Sequence, residues 1–128
     1  MAGTHSKPYF EAFASLRGVY LEDSWVLSVE SHGDSVTFEL DAVLTPEHAS
    51  YEPPKVGEQY CYRSATLSLR GVDRFERSDT PPATDATGTF DFGNIDSFTQ
   101  GDDGRWRAEG DWGELEADDP EVTLELAR

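Results

Sequence analysis

The spacing of apolar and polar positions changes once along the 128 residues. Near the N-terminus, Tyr9, Phe10, Phe13, Ala14 and Leu16 recur at intervals that place them on one side of a helix. This predicts one short amphipathic helix over about residues 8–17, with Ser6 as N-cap, Pro8 in the first turn and Gly18 in the left-handed position that ends it. From residue 24 the period falls to two. Trp25, Leu27 and Val29 alternate with Val26, Ser28 and Glu30; Ser31-His32-Gly33-Asp34 supplies turn residues; and Val36, Phe38, Leu40 and Ala42 alternate with Thr37, Glu39 and Asp41. That pattern predicts a β-hairpin over residues 24–44.

Residues 45–59 hold three prolines and a glycine and read as a loop, followed by a third strand at about 59–73. A second loop, long and polar, spans 78–88, a length at which loops are often functional or mobile. Beyond it, Phe90 with Phe92, Ile95 to Gln100, Trp106 with Ala108, Leu115 with Ala117, and Val122 with Leu124 and Leu126 read as further strands. Gly101-Asp102-Asp103-Gly104, Gly110-Asp111-Trp112-Gly113 and Asp118-Asp119-Pro120 punctuate them. The chain reads as one domain, residues 1–128, mainly β: an antiparallel β-sandwich or partly closed barrel of seven or eight strands with one short N-terminal helix.

Charge narrows the function. There are 26 acids against 10 bases, a formal net charge of -16. With so few cations to neutralise phosphates, nucleic acid is an improbable partner. No run of apolar residues exceeds three, so neither a spanning helix nor a signal-peptide core is expected, and the expected location is cytoplasmic. The single cysteine, Cys61, has no internal disulfide partner and no adjacent base in sequence to activate it.

Candidate chemistry is sparse. In the third strand Cys61, Ala65, Leu67 and Leu69 face inward, and the same alternation turns Arg63 toward the core, where a guanidinium needs a partner. Arg63 is read either as paired to a carboxylate or as the anion-receiving group of a small-molecule pocket, with His48 and Tyr51 of the 45–59 loop at its mouth. His5, His32 and His48 lack metal-ligand spacing; Asp91, Asn94 and Asp96 lack the rest of a calcium loop; and no nucleophile or nucleotide-binding motif occurs. No cofactor or metal is implied, and a hydrolase using paired carboxylates is the weakest reading. Between Glu109 and Glu125 stand eight acids and no base. Glu109, Asp111, Glu114, Glu116 and Glu125 of this stretch form the candidate docking surface, since a concentrated negative potential speeds encounter with a basic protein.

The pieces Asp23-Ser24-Trp25-Val26-Leu27, Glu58-Gln59-Tyr60-Cys61-Tyr62-Arg63 and Gly110-Asp111-Trp112-Gly113 resemble parts of small bacterial all-β proteins of the toxin-immunity type. The resemblance spans roughly residues 20–115, carries no catalytic residue and implies an interaction protein that neutralises a basic partner. The alternative is a small-molecule-binding β-domain with its pocket near Arg63 and the 45–59 loop.

Overall fold

A computed structural model describes residues 8–54, 56–57, 60–77, 83–84, 90–91 and 93–126, with backbone alone at 83–84 and 90–91. Helix α1 (Tyr9–Ala12) starts at Pro8, whose carbonyl accepts from the N–H groups of Glu11 and Ala12, each at 3.0 Å. The helix stops after one turn because Phe13 is extended, and a 3₁₀ turn, Ala14–Leu16, completes the segment. Ten residues are too few to hold a helix by propensity alone, so packing decides. Phe13 reaches into the core to stack on Phe98 and tilt against Trp106, with ring centroids 5.7 and 4.8 Å away. Ser6, the expected N-cap, lies outside the described residues. Gly18 does take a left-handed conformation, φ +77°, and a Cβ there would fall 2.5 Å from the backbone nitrogen of His48.

Strands β1 (Val19–His32), β2 (Ser35–Leu44), β3 (Cys61–Arg77), β6 (Ile95–Gln100), β7 (Arg105–Gly110) and β8 (Gly113–Leu126) form one antiparallel sheet in the order β1-β2-β3-β8-β7-β6. Strands β4 (Ala83–Thr84) and β5 (Phe90–Asp91) pair separately with each other. The fold is therefore mainly β with a short helix, and its main sheet is a six-stranded open half barrel. The long loop expected at 78–88 lies outside the described residues except for β4, as does Phe92. Among the described residues no helix is long and apolar enough to cross a membrane.

The main difference in strand count comes from Asp118-Asp119-Pro120, which reads as a turn but is a bulge inside the continuous strand β8. Pairing jumps from Val72↔Ala117 to Arg70↔Glu121, so three residues of β8 stand against Gly71 alone. Both chains enter positive φ at that point, +88° at Gly71 and +52° at Asp119. A glycine is built for this conformation, and aspartate tolerates it better than most residues. The paired distortions bend β3 and β8 together. On one side β3 pairs with β2; beyond the bend, Val72 donates to the Asp34 carbonyl at 2.9 Å and β3 continues along β8 alone.

A second irregularity reverses an expectation. Alternation would send Trp25 and Leu27 inward with Val29. Register shifts between Tyr20 and Trp25 and between Val26 and Ser28 instead turn Val26 and Val29 inward and leave Trp25 and Leu27 41% and 45% exposed. Ser24 fixes the first shift. Fully buried, its Oγ donates to the Tyr20 carbonyl at 2.7 Å and accepts from the Val43 N–H at 2.9 Å, satisfying backbone groups that the bulge takes out of the ladder. The concave side holds Phe38, Leu40, Leu67, Leu69, Leu115 and the indole of Trp112, whose ring centroid is 4.8 Å from that of Phe38.

Candidate functional site

Arg63 is opposite Ala42, a fully buried residue, and so shares the concave face as expected. It is nevertheless only half-buried, and it makes no hydrogen bond or ion pair to any described residue. The expected carboxylate partner is not found among the described residues. Arg63 lies two residues beyond Ala65↔Leu126, the last described pair between β3 and β8, and pairs with Ala42 on the β2 side.

The 45–54 segment is a compact turn built on His48. Its N–H donates to the Thr45 carbonyl at 2.9 Å, its carbonyl accepts from Tyr51 at 3.0 Å, and Nδ1 accepts from the Ser50 N–H at 2.9 Å. A backbone N–H can only donate, so Nδ1 carries a lone pair and is committed to the turn. Tyr51 is half-buried against the core and, with Tyr20, Pro46, Pro54 and Tyr60, walls a cleft of about 210 Å³. Arg63 and His48 do not line it. The three residues assigned to one pocket are thus not brought together there, and the cleft falls below the roughly 300 Å³ at which small-molecule sites begin.

The acidic stretch is placed differently from its one-dimensional picture. Glu114 and Glu116 do share the outward side of β8, but arginines from the strands on both sides meet them. Glu116 pairs with Arg74 of β3 at 2.6 Å and with Arg107 of β7 at 3.3 Å, and Arg74 also reaches Glu76 at 3.1 Å and Glu114 at 3.5 Å. Arg105 bridges Asp73 and Glu116. Hydrogen bonds from Arg74, then Arg107, hold the Glu116 carboxyl below the usual carboxylate range; Arg74 does the same for Glu76 and Arg105 for Asp73. The surface expected to be uncompensated is a lattice of alternating charge. Its acidic margin is the row Glu109, Glu114 and Glu76, directly opposite one another on β7, β8 and β3. Glu125 does not join this group: it is opposite Thr66, beyond the bulge at Asp118–Pro120. Asp111 is exposed in the turn between β7 and β8.

Apolar groups stay exposed elsewhere, along α1 and β1. Of the five large hydrophobic residues that stay exposed among the described residues, Phe10, Tyr20, Trp25 and Leu27 belong to α1 and β1. Carboxylates interleave with them. Tyr60 hydrogen-bonds Asp23, which pushes the Tyr60 hydroxyl above its ordinary pKa. Tyr9, 3% exposed, donates to Glu22 and accepts from the Leu21 N–H at 2.9 Å; burial and then the Glu22 bond raise its pKa, so its hydroxyl remains a donor. A shallow groove of about 400 Å³ runs from Phe10 past Tyr20 to Pro46 and Glu47. Sequence reasoning passed over this face because period-two alternation groups Trp25 and Leu27 with Val29, which is buried.

Cys61 is buried and free. Among the described residues no group of three or more His, Cys, Asp and Glu could hold a metal ion. Of the three residues weighed as a calcium loop, Asn94 is turned away to donate to the Ser24 carbonyl at 2.8 Å, and the Asp91 side chain lies outside the described atoms. Comparison with protein-family models, curated proteins and solved structures finds no match for this chain.

Proposed function

We propose that the chain is an acidic protein-interaction module, of the kind that neutralises a basic partner, and that it docks through the outer face of α1 and β1. The observation that carries this reading is that exposed Phe10 and Tyr20 line one groove with Glu47, while Trp25 and Leu27 stay exposed further along β1 beyond Glu22 and Asp23. Aromatic groups anchor interfaces because they remove much area from water at little conformational cost, whereas rim carboxylates set orientation and reject acidic competitors. A charge of -16 adds long-range attraction for a cation-rich protein. The paired Glu114 and Glu116 are poor anchors by comparison, since a partner's lysine must displace Arg74 or Arg107 to reach them.

Panning a randomised peptide library against the folded chain tests the proposal. Selected sequences are expected to be rich in Lys and Arg, and their binding should be lost in a Tyr20→Ser, Trp25→Ser variant. Selection without a basic bias, or binders indifferent to those substitutions, contradicts it.

A further inference from the structure

We infer that the open seam of the half barrel accepts an extended, basic segment of the partner as an added β-strand along the free edge of β6. The inference rests on the docking proposal and specifies its mode. Strand β6 ends the sheet and pairs with β7 alone. Among the described residues, backbone hydrogen bonds and bridges pin the seam toward β1 at one end only, through the Trp25↔Asn94 bridge and Val26 donating to the Gly93 carbonyl at 2.8 Å. Past this pin, the outward N–H and C=O groups of Asp96–Gln100 have no backbone partner among the described residues. An unpaired row of this kind is a template for another chain, and proteins that do not use such an edge normally cover it.

The space beside the edge has the shape the occupant needs. A cleft of about 430 Å³ is lined by the five consecutive residues Asp96 to Gln100, with Glu22 across the seam and Tyr9 and Phe10 above. Consecutive residues of a strand point to alternate faces, so a cleft that touches all five runs along the backbone edge and not over one face. Five residues of strand span about 17 Å, enough for several ladder hydrogen bonds.

Side chains select the occupant's charge. Glu22 is held at the seam by the Tyr9 hydroxyl, and Tyr9 is itself fixed by the Leu21 N–H and by stacking on Phe98 with centroids 6.0 Å apart. The other Glu22 carboxylate oxygen has no partner among the described residues. Asp96 presents a second, exposed carboxylate from the edge strand. A strand alternating small apolar residues with Lys or Arg places its apolar side beside the exposed Phe10 ring and its cations within reach of Glu22 and Asp96. A second copy of this chain brings the same net charge of -16 and the same carboxylates, and is repelled.

The test uses three acetylated, amidated octapeptides: alternating Val and Lys, alternating Val and Glu, and alternating Pro and Lys. Each is added to the full chain while amide exchange and chemical shifts are followed residue by residue. The Val–Lys peptide should slow exchange at edge amides within Asp96–Gln100 and shift Glu22. The Val–Glu peptide should not bind, and the Pro–Lys peptide, which lacks alternate N–H donors, should not protect the edge. Glu22→Gln, which keeps the acceptor for Tyr9, and Asp96→Asn should each weaken the Val–Lys complex about threefold, the scale of one partly exposed ion pair. Shifts confined to Tyr20, Trp25 and Leu27, with edge exchange unchanged, would overturn strand addition while leaving the docking face standing. Absence of Val–Lys binding overturns strand addition; if the library also yields no basic binders, the docking proposal falls with it. Protection that grows with protein concentration in the absence of peptide would show that a second copy fills the seam, and would also overturn the inference.

Discussion

Two acidic regions of this molecule behave differently because of what faces them. On the outer side of β3, β8 and β7, the acids of β8 lie between arginines of β3 and β7, and Arg74, Arg105 and Arg107 are fixed against Glu76, Asp73 and Glu116. On α1 and β1, Glu22 and Asp23 meet tyrosine hydroxyls, which leave the carboxylate charge in place, and their apolar neighbours are exposed. Density of acids in sequence therefore does not locate negative potential in space. In the first region arginines pair with the acids; in the second no arginine or lysine pairs with Glu22 or Asp23 among the described residues.

The largest expected effect contrasts the tryptophans of the two regions. Trp112 joins the β7–β8 turn to the core at 1% exposure, so Trp112→Ala should cost about 3–5 kcal/mol in denaturant unfolding. Trp25→Ala should change stability by less than about 0.5 kcal/mol, because its ring is not a core ring. A large loss at Trp25 would mean that the aromatic face is structural.

Next is Ser24, on whose two hydrogen bonds the outward turn of Trp25 depends. Ser24→Ala leaves the buried Val43 N–H without its acceptor and should cost about 1–3 kcal/mol. Its indole emission should also change as Trp25 shifts. Loss of stability with unaltered emission would separate the bulge from the exposure of Trp25.

Acid titration gives a smaller effect confined to the lattice. The Glu116, Glu76 and Asp73 carboxyls have folded-state pKa values below their unfolded ones. Their stabilisation is therefore complete above the ordinary carboxylate range, around pH 4, and is lost as pH falls through the lower folded values. Arg74→Met should flatten the decline in melting temperature below that pH, whereas Trp25→Ala should not. Equal slopes in Arg74→Met and the parent would show that the arginine pairs contribute nothing measurable. Smallest of all, Glu109→Lys and Glu125→Lys, exposed and outside those pairs, should leave stability nearly unchanged and slow association with a selected basic peptide only modestly.

Much of the sheet was legible from residue order. The Gly33 turn, the inward set Val36, Phe38, Leu40 and Ala42, and the alternation in β3 all follow from period and turn chemistry. Three features were not. Asp118-Asp119-Pro120 has a turn's composition, but Gly71, remote in sequence, supplies the matching distortion that makes it a bulge. Trp25 and Leu27 keep their spacing while the register shifts beneath them, and a period-two reading cannot register a bulge. Glu116 meets Arg74 across 42 positions, so its neutralisation depends on strand order, which local patterning does not encode.

The most direct measurement is the dissociation constant of a library-selected basic peptide with three proteins: the parent chain, a Tyr20→Ser, Trp25→Ser variant, and Arg74→Met. Removing two interface anchors should weaken binding at least tenfold, and breaking the lattice should leave it within about twofold of the parent. Undiminished binding in the aromatic variant, or a marked change in Arg74→Met alone, would contradict the account and return the docking surface to the strands of the C-terminal half.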